Sequence, residues 1–270
     1  MGLYAIPPYL LLFLAVAFAA AIACAGQILV HRRFKSAEFV RRNEVAGFII
    51  AVVGTLYAVV LGFMTVVTWE HYQTAQERLA SETASVLDAW HDAVELPPAA
   101  RRVMRAAMLD YAHVMIDDEW PKMRDGGFSL QGDTIIMDAT TAIGQLRPGN
   151  ASEVNAQATE IALLNALHDA RQQRLSGSDA ALTELQWIVL FIGAIVVVGF
   201  CYLFQVESAD AHLVMTGAVA VIIATMMVLI FELESPFRSP IGISSSAWSA
   251  VISHIEYMDS RPGSMMNMKY

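Results

Sequence analysis

The chain has 270 residues, of which 56% are hydrophobic and only 16% charged, with a formal net charge of −9; its mean hydropathy is +0.48. A soluble domain of this length cannot hide so much apolar surface, and so acidic a chain lacks the basic face that a nucleic-acid partner requires. The two cysteines, Cys24 and Cys201, both fall in apolar runs, which excludes a disulfide scaffold or a cysteine metal cluster and makes them small core residues.

The first apolar run covers residues 8–30, long enough to cross the hydrocarbon as a helix. No basic residue precedes it, and Arg32, Arg33 and Lys35 follow it, which is the flank of a retained span and not of a cleaved signal peptide. A second run, 45–69, holds no charged residue, and runs at 185–206 and 213–231 are each near the length needed to span. The pattern predicts an all-α membrane protein: transmembrane helices 1 and 2 in residues 1–69, a helical extramembrane bundle inserted at 70–184, transmembrane helices 3 and 4 in 185–232, and a C-terminal tail at 233–270.

Sidedness follows from the short connectors. The one between the first two spans carries Arg32, Arg33, Lys35, Arg41 and Arg42, whereas the one between the third and fourth carries Glu207, Asp210 and His212 and no lysine or arginine. Both connectors share one side, which the positive-inside rule makes cytoplasmic; the termini and the central domain then lie outside it.

After Trp69 the helical pattern continues through Leu79, Val86, Leu87, Trp90 and Val94, so the second span is expected to run on into water as one long helix, stopped by Pro97 and Pro98. A helix is expected over 99–118, ending at the acidic cluster Asp117, Asp118 and Glu119. A less regular piece lies between Gly126–Gly127 and Pro148–Asn150, and helical spacing returns over 151–175 through Val154, Ala158, Ile161, Leu164, Leu167 and Leu175. Beyond the fourth span, Pro236, Phe237, Pro240 and Gly242 force irregular backbone, and 247–257 reads as a short amphipathic helix before a frayed tail.

The most informative pattern is in the second span, where Asn43, Gly47, Ala51, Gly54, Ala58, Gly62 and Thr65 recur at steps of three and four and share one helical face. Small residues in such a stripe serve either as a packing seam, within the subunit or between copies, or as the lining of a pore in an oligomer. In the second case Asn43 and Thr65 offer polar atoms near its ends, and Glu70 and Glu77 on the helical extension form the pore mouth. Residues 70–184 hold eighteen acidic against nine basic side chains, which favours cations.

The seven histidines show no metal-ligand spacing along the chain, and neither a phosphate loop nor a nucleophile motif is present. No cofactor and no enzyme chemistry is therefore expected. The spans contain almost no ionisable group before Glu232 and Glu234, which argues against alternating-access transport.

Asn43, Gly47, Tyr57, Gly62, Phe63, Trp69 and Glu70, followed by Glu82 and later Glu119, Trp120 and Pro121, resemble a bacterial family of four-span membrane proteins described as bestrophin-like. The resemblance runs from the first span to Pro236 and Phe237. Bestrophins proper are oligomeric chloride channels whose second span lines the pore and whose extramembrane domain is cytosolic. The resemblance thus implies a homo-oligomeric channel with Gly47 to Thr65 facing the axis. The chain departs from the bestrophin pattern in lacking an aromatic neck cluster in its second span and in its acidic central domain. The reading is a homo-oligomeric ion channel with ions and the lipid bilayer as partners, cations favoured; the rival is a non-conducting envelope sensor or scaffold whose helical domain binds a partner.

Overall fold

The computed structural model describes residues 6–33, 43–204 and 208–260, with side chains in the second helix described from Gly47 onward. All the regular structure among them is helical: α1 (Pro8–Arg33), α2 (Asn43–Asp92), a 3₁₀ turn (Ala93–Glu95), α3 (Pro98–Val114), a π-helical turn (Met115–Glu119), α4 (Trp120–Arg124), α5 (Gln131–Gly144), α6 (Ala151–Ser176), α7 (Glu184–Cys201), α8 (Ala209–Glu234) and α9 (Ser246–Ser260). Four helices are long and apolar enough to cross a membrane, namely α1, α2, α7 and α8. The basic residues Lys35, Arg41 and Arg42, Glu207 of the other connector, and the expected frayed tail from residue 261 lie outside the described residues.

The chain divides into two compact units, with α2 contributing to both. The first comprises the apolar helices up to Tyr72 together with residues 180–235 and 239–241. Its core joins Tyr57 and Leu61 of α2 to Leu190 and Val197 of α7 and to Ile223 and Ile230 of α8. The Tyr57 hydroxyl donates to the Leu190 carbonyl at 2.9 Å, which satisfies a polar group that would otherwise be costly among apolar side chains. On the α1–α8 seam the His31 and His212 rings meet edge to face at 5.2 Å, and Cys24 Sγ donates to the Leu213 carbonyl at 3.7 Å. Both cysteines are free and partly buried. Large side chains such as Phe13, Phe18, Phe63, Ile195 and Val214 remain exposed, a surface that water does not tolerate and lipid does.

α7 begins with a capping box, Thr183 receiving the Gln186 backbone N–H and Gln186 reaching back to Thr183. The two carboxylates foreseen at the end of the fourth span are both buried. Glu232 accepts from the Ser239 hydroxyl, and Glu234 accepts from Trp187 Nε1 at 2.8 Å.

Among the described residues the second unit comprises 73–179, 236–238 and 242–260. α2 ends ahead of Pro97, and Pro98 occupies the first turn of α3, where its missing N–H costs nothing. Asn150 caps α6 by accepting from the Glu153 N–H at 2.9 Å. Gly126, at φ 83°, takes a left-handed conformation that side chains resist. The piece expected to be less regular contains a 14-residue helix, α5, whose buried face is Ile136, Ala139 and Ile143. The acidic cluster is likewise not a helix end. A π turn carries the chain through Asp117–Glu119 into α4, rotating Glu119 inward. α9 is longer than foreseen and seals this unit with Trp248, packed on Tyr111 and Trp120.

Candidate functional site

Along α2 the residues that pack inside the first unit are Ile50, Val53, Tyr57, Val60, Leu61 and Met64. The small-residue stripe lies about a quarter of a turn away from that face. A Cβ placed on Gly54 or Gly62 would meet nothing within 4 Å, and one on Gly47 would only touch Phe204 at 3.9 Å. Ala51, Ala58 and Gly62 are exposed. Among the described residues of one subunit, no side chain packs closely over Gly54 or Gly62.

The real close approach is elsewhere. A Cβ on Gly193 of α7 would come within 2.3 Å of the Tyr57 ring, so it is Gly193 that lets α2 and α7 meet. Thr65 donates its hydroxyl proton to the Leu61 carbonyl at 2.8 Å. Asn43 opens α2, but its side chain lies outside the described residues. Glu70 and Glu77 are both exposed.

The second unit encloses a polar cluster with no exposed charge at its centre. Arg174 donates through Nε and Nη2 to the Glu82 carboxylate, and through Nη2 also to Glu119 at 3.3 Å. Arg171 forks onto Glu119 at 3.0 and 3.2 Å, reaches Asp133 at 3.0 Å, and donates to the Ser129 carbonyl at 2.6 Å. The Tyr111 hydroxyl donates to Glu82 at 2.5 Å. Glu82, Glu119, Tyr111, Arg171 and Arg174 are all fully buried. Burial works against the Arg174 charge, but Glu82, with Tyr111 and Glu119, more than offsets this and holds its pKa above the ordinary value. Burial, reinforced by the Glu82 charge, raises the Tyr111 pKa well above that of a free phenol, so it stays a neutral donor.

The sequence singled out Glu82 and Glu119 without their partners. Arg171 and Arg174 belong to the buried stripe of α6, which runs Ala156, Glu160, Leu164, Leu167, Arg171, Arg174. Val154, counted among the apolar positions of that helix, is instead exposed. The signal that could have found the arginines is this three-and-four spacing read without regard to polarity. Among the described residues no group of three or more His, Cys, Asp or Glu could hold a metal ion.

Four apolar span helices, one of which continues into a unit built round a buried ion cluster, define an all-helical membrane protein. A family model, the Bestrophin-like domain, matches residues 17–248. The chain belongs to the Bestrophin-like domain family. A search of curated protein sequences finds no match. Among solved structures the chain resembles single-substitution variants of a bacterial bestrophin homologue from Klebsiella pneumoniae. One shares 13% identity at a TM-score of 0.69, covering 91% of this chain and 99% of the other. A second shares 12% at a TM-score of 0.68, with the same coverage. At such identity the likeness is one of fold.

Proposed function

We propose that this protein is a homo-oligomeric ion channel of a bacterial inner membrane, with the α2 face of Asn43, Gly47, Ala51, Gly54, Ala58, Gly62 and Thr65 lining the path. The observation that carries the reading is the open space over Gly54 and Gly62. Among the described residues Gly54 and Gly62 are left open within the subunit, which supports a partner outside it, and membership of the bestrophin-like family makes a shared axis the natural one.

In this arrangement Gly47, Gly54 and Gly62 set the bore, while large side chains on the adjoining face, such as Phe48, Leu56 and Phe63, turn to lipid and to neighbouring copies. Because Thr65 spends its proton on Leu61, it presents oxygen lone pairs to a passing ion, which suits a cation. Glu70 and Glu77 then raise the local cation concentration at the mouth. The second unit stands outside the bilayer, on the extracytoplasmic side.

The test is ion flux through purified protein in liposomes under opposed potassium and chloride gradients, with Gly54→Leu alongside. The expected result is a reversal potential that follows potassium, and conductance abolished in the variant while insertion is kept. A silent membrane around correctly inserted wild-type oligomer would move the reading to an envelope scaffold. Normal conductance in Gly54→Leu would remove α2 from the pore.

A further inference from the structure

Two histidines far apart in the sequence meet in the second unit. His91, in the last turn of α2, and His254, on α9, are 163 positions apart in sequence, yet their Nε2 atoms are 3.4 Å apart. The rings meet at a centroid distance of 5.5 Å and an interplanar angle of 71°. Both belong to the second unit.

That separation is long for a hydrogen bond with a nitrogen donor, which prefers about 2.7–3.2 Å. It does match the bite of a metal: two Zn–N bonds of about 2.0–2.1 Å at a tetrahedral angle place their nitrogens about 3.3–3.4 Å apart. Two Nε2 atoms at this spacing supply two of the four ligands of a tetrahedral shell. His254 is exposed and His91 half-buried, so water reaches the remaining positions.

The surroundings fix the rings and balance charge. His91 is held edge-on against Trp90 at 5.1 Å, and the Arg105 guanidinium covers the Trp90 ring at 4.1 Å. Arg105 is itself paired with Asp259 at 3.7 Å, on the helix that carries His254. Asp88 lies one turn before His91 on α2, adding negative charge near the opening.

We propose that His91 and His254 form a binding site for a divalent first-row transition ion of the zinc type, which clips α9 to the end of α2. Neutral imidazole is a preferred ligand for such ions, whereas calcium and magnesium, which want oxygen donors, are rejected.

The test is calorimetric titration of tag-free, chelator-stripped protein in detergent with Zn2+ alone, repeated with Co2+ alone while following visible absorbance. Wild type is expected to bind one Zn2+ per subunit and to give the intense band of four-coordinate cobalt. His91→Gln and His254→Gln should each weaken binding by more than about tenfold, while His113→Gln, an exposed histidine elsewhere in the unit, leaves it unchanged. Absence of Zn2+ binding by wild type, equal binding by all the variants, or a cobalt spectrum matching the aqueous ion would each overturn the site.

Discussion

Glu160 carries the clearest pH signature in the molecule. It is 1% exposed, and among the described residues neither of its carboxylate oxygens finds a hydrogen-bond partner. Burial, reinforced by the nearby charges of Asp92 and Glu95, raises its pKa from 4.5 to about 8. The folded protein thus keeps this proton up to about pH 8, while the unfolded chain gives it up near 4.5. Between those limits the unfolded state binds fewer protons, so stability falls as pH rises and levels off above about 8. Glu160→Gln removes the effect, and its advantage over wild type should grow across that window to on the order of 3–5 kcal/mol. Thermal unfolding of both proteins in detergent as a function of pH measures this; parallel profiles would show that Glu160 is ionised in the fold. The buried charges of the Glu82–Glu119–Arg171–Arg174 cluster, unlike Glu160, are paired. Arg174→Met would leave Glu82 and Glu119 buried with a lost partner each and should cost about 3–5 kcal/mol, whereas adding Glu82→Gln to it should recover part of the loss. Strict additivity of the two changes would mean that the pair is not coupled.

At the scale of elements, the spans were legible because an uncharged run of sufficient length has one physical solution in lipid. The long α2 was legible too, since no breaker occurs between Trp69 and the Pro97–Pro98 pair. Two elements were not. α5 lies between glycine and proline signals that suggested loop, and its short apolar face of Ile136, Ala139 and Ile143 gives a weak periodicity. Three adjacent carboxylates at Asp117–Glu119 point to a solvated helix end, whereas the π turn spends Glu119 on two arginines of α6. The His91–His254 contact has no local signature at all, being set by where α9 packs. The small-residue stripe was visible, but its meaning was not: periodicity identifies a face without naming its neighbour. Two glycines separate the possibilities. Gly193→Ala drives a methyl into the Tyr57 ring and should destabilise the α2–α7 pair by about 1–3 kcal/mol. Gly54→Ala meets open space in the subunit and should leave monomer stability within roughly 0.5 kcal/mol, as surface changes do. Equal losses in the two, read from thermal unfolding, would mean that the stripe is buried after all.

At the scale of the whole molecule, what connects the proposed pore to the second unit is α2 itself, a 50-residue helix that begins in the apolar run and ends beside the 3₁₀ turn that leads to α3. A helix of this length is a stiff rod about 75 Å long, far more than the roughly 30 Å of hydrocarbon it must cross. Its remaining turns must therefore project into water on one side, and the charge-bearing stretch from Glu70 onward is what can do so. The sequence expectation for the side rests on the basic connector after α1: by the positive-inside rule its arginines and lysine resist translocation, and the proposed arrangement therefore has the second unit opposite, outside the cytoplasm. The chain is suited to a direct test, because its only cysteines, Cys24 and Cys201, are both partly buried in span helices. A cysteine introduced at the exposed Asp110 gives a single accessible thiol in the second unit. With an extracytoplasmic unit, a membrane-impermeant maleimide should label Asp110→Cys in intact spheroplasts as fully as in lysed ones. Labelling that needs lysis would put the unit in the cytosol. In that case the five basic residues flanking the first two spans would lie outside against the positive-inside rule, and the acidic surface of the unit would attract cations from the cytoplasmic side of the path instead.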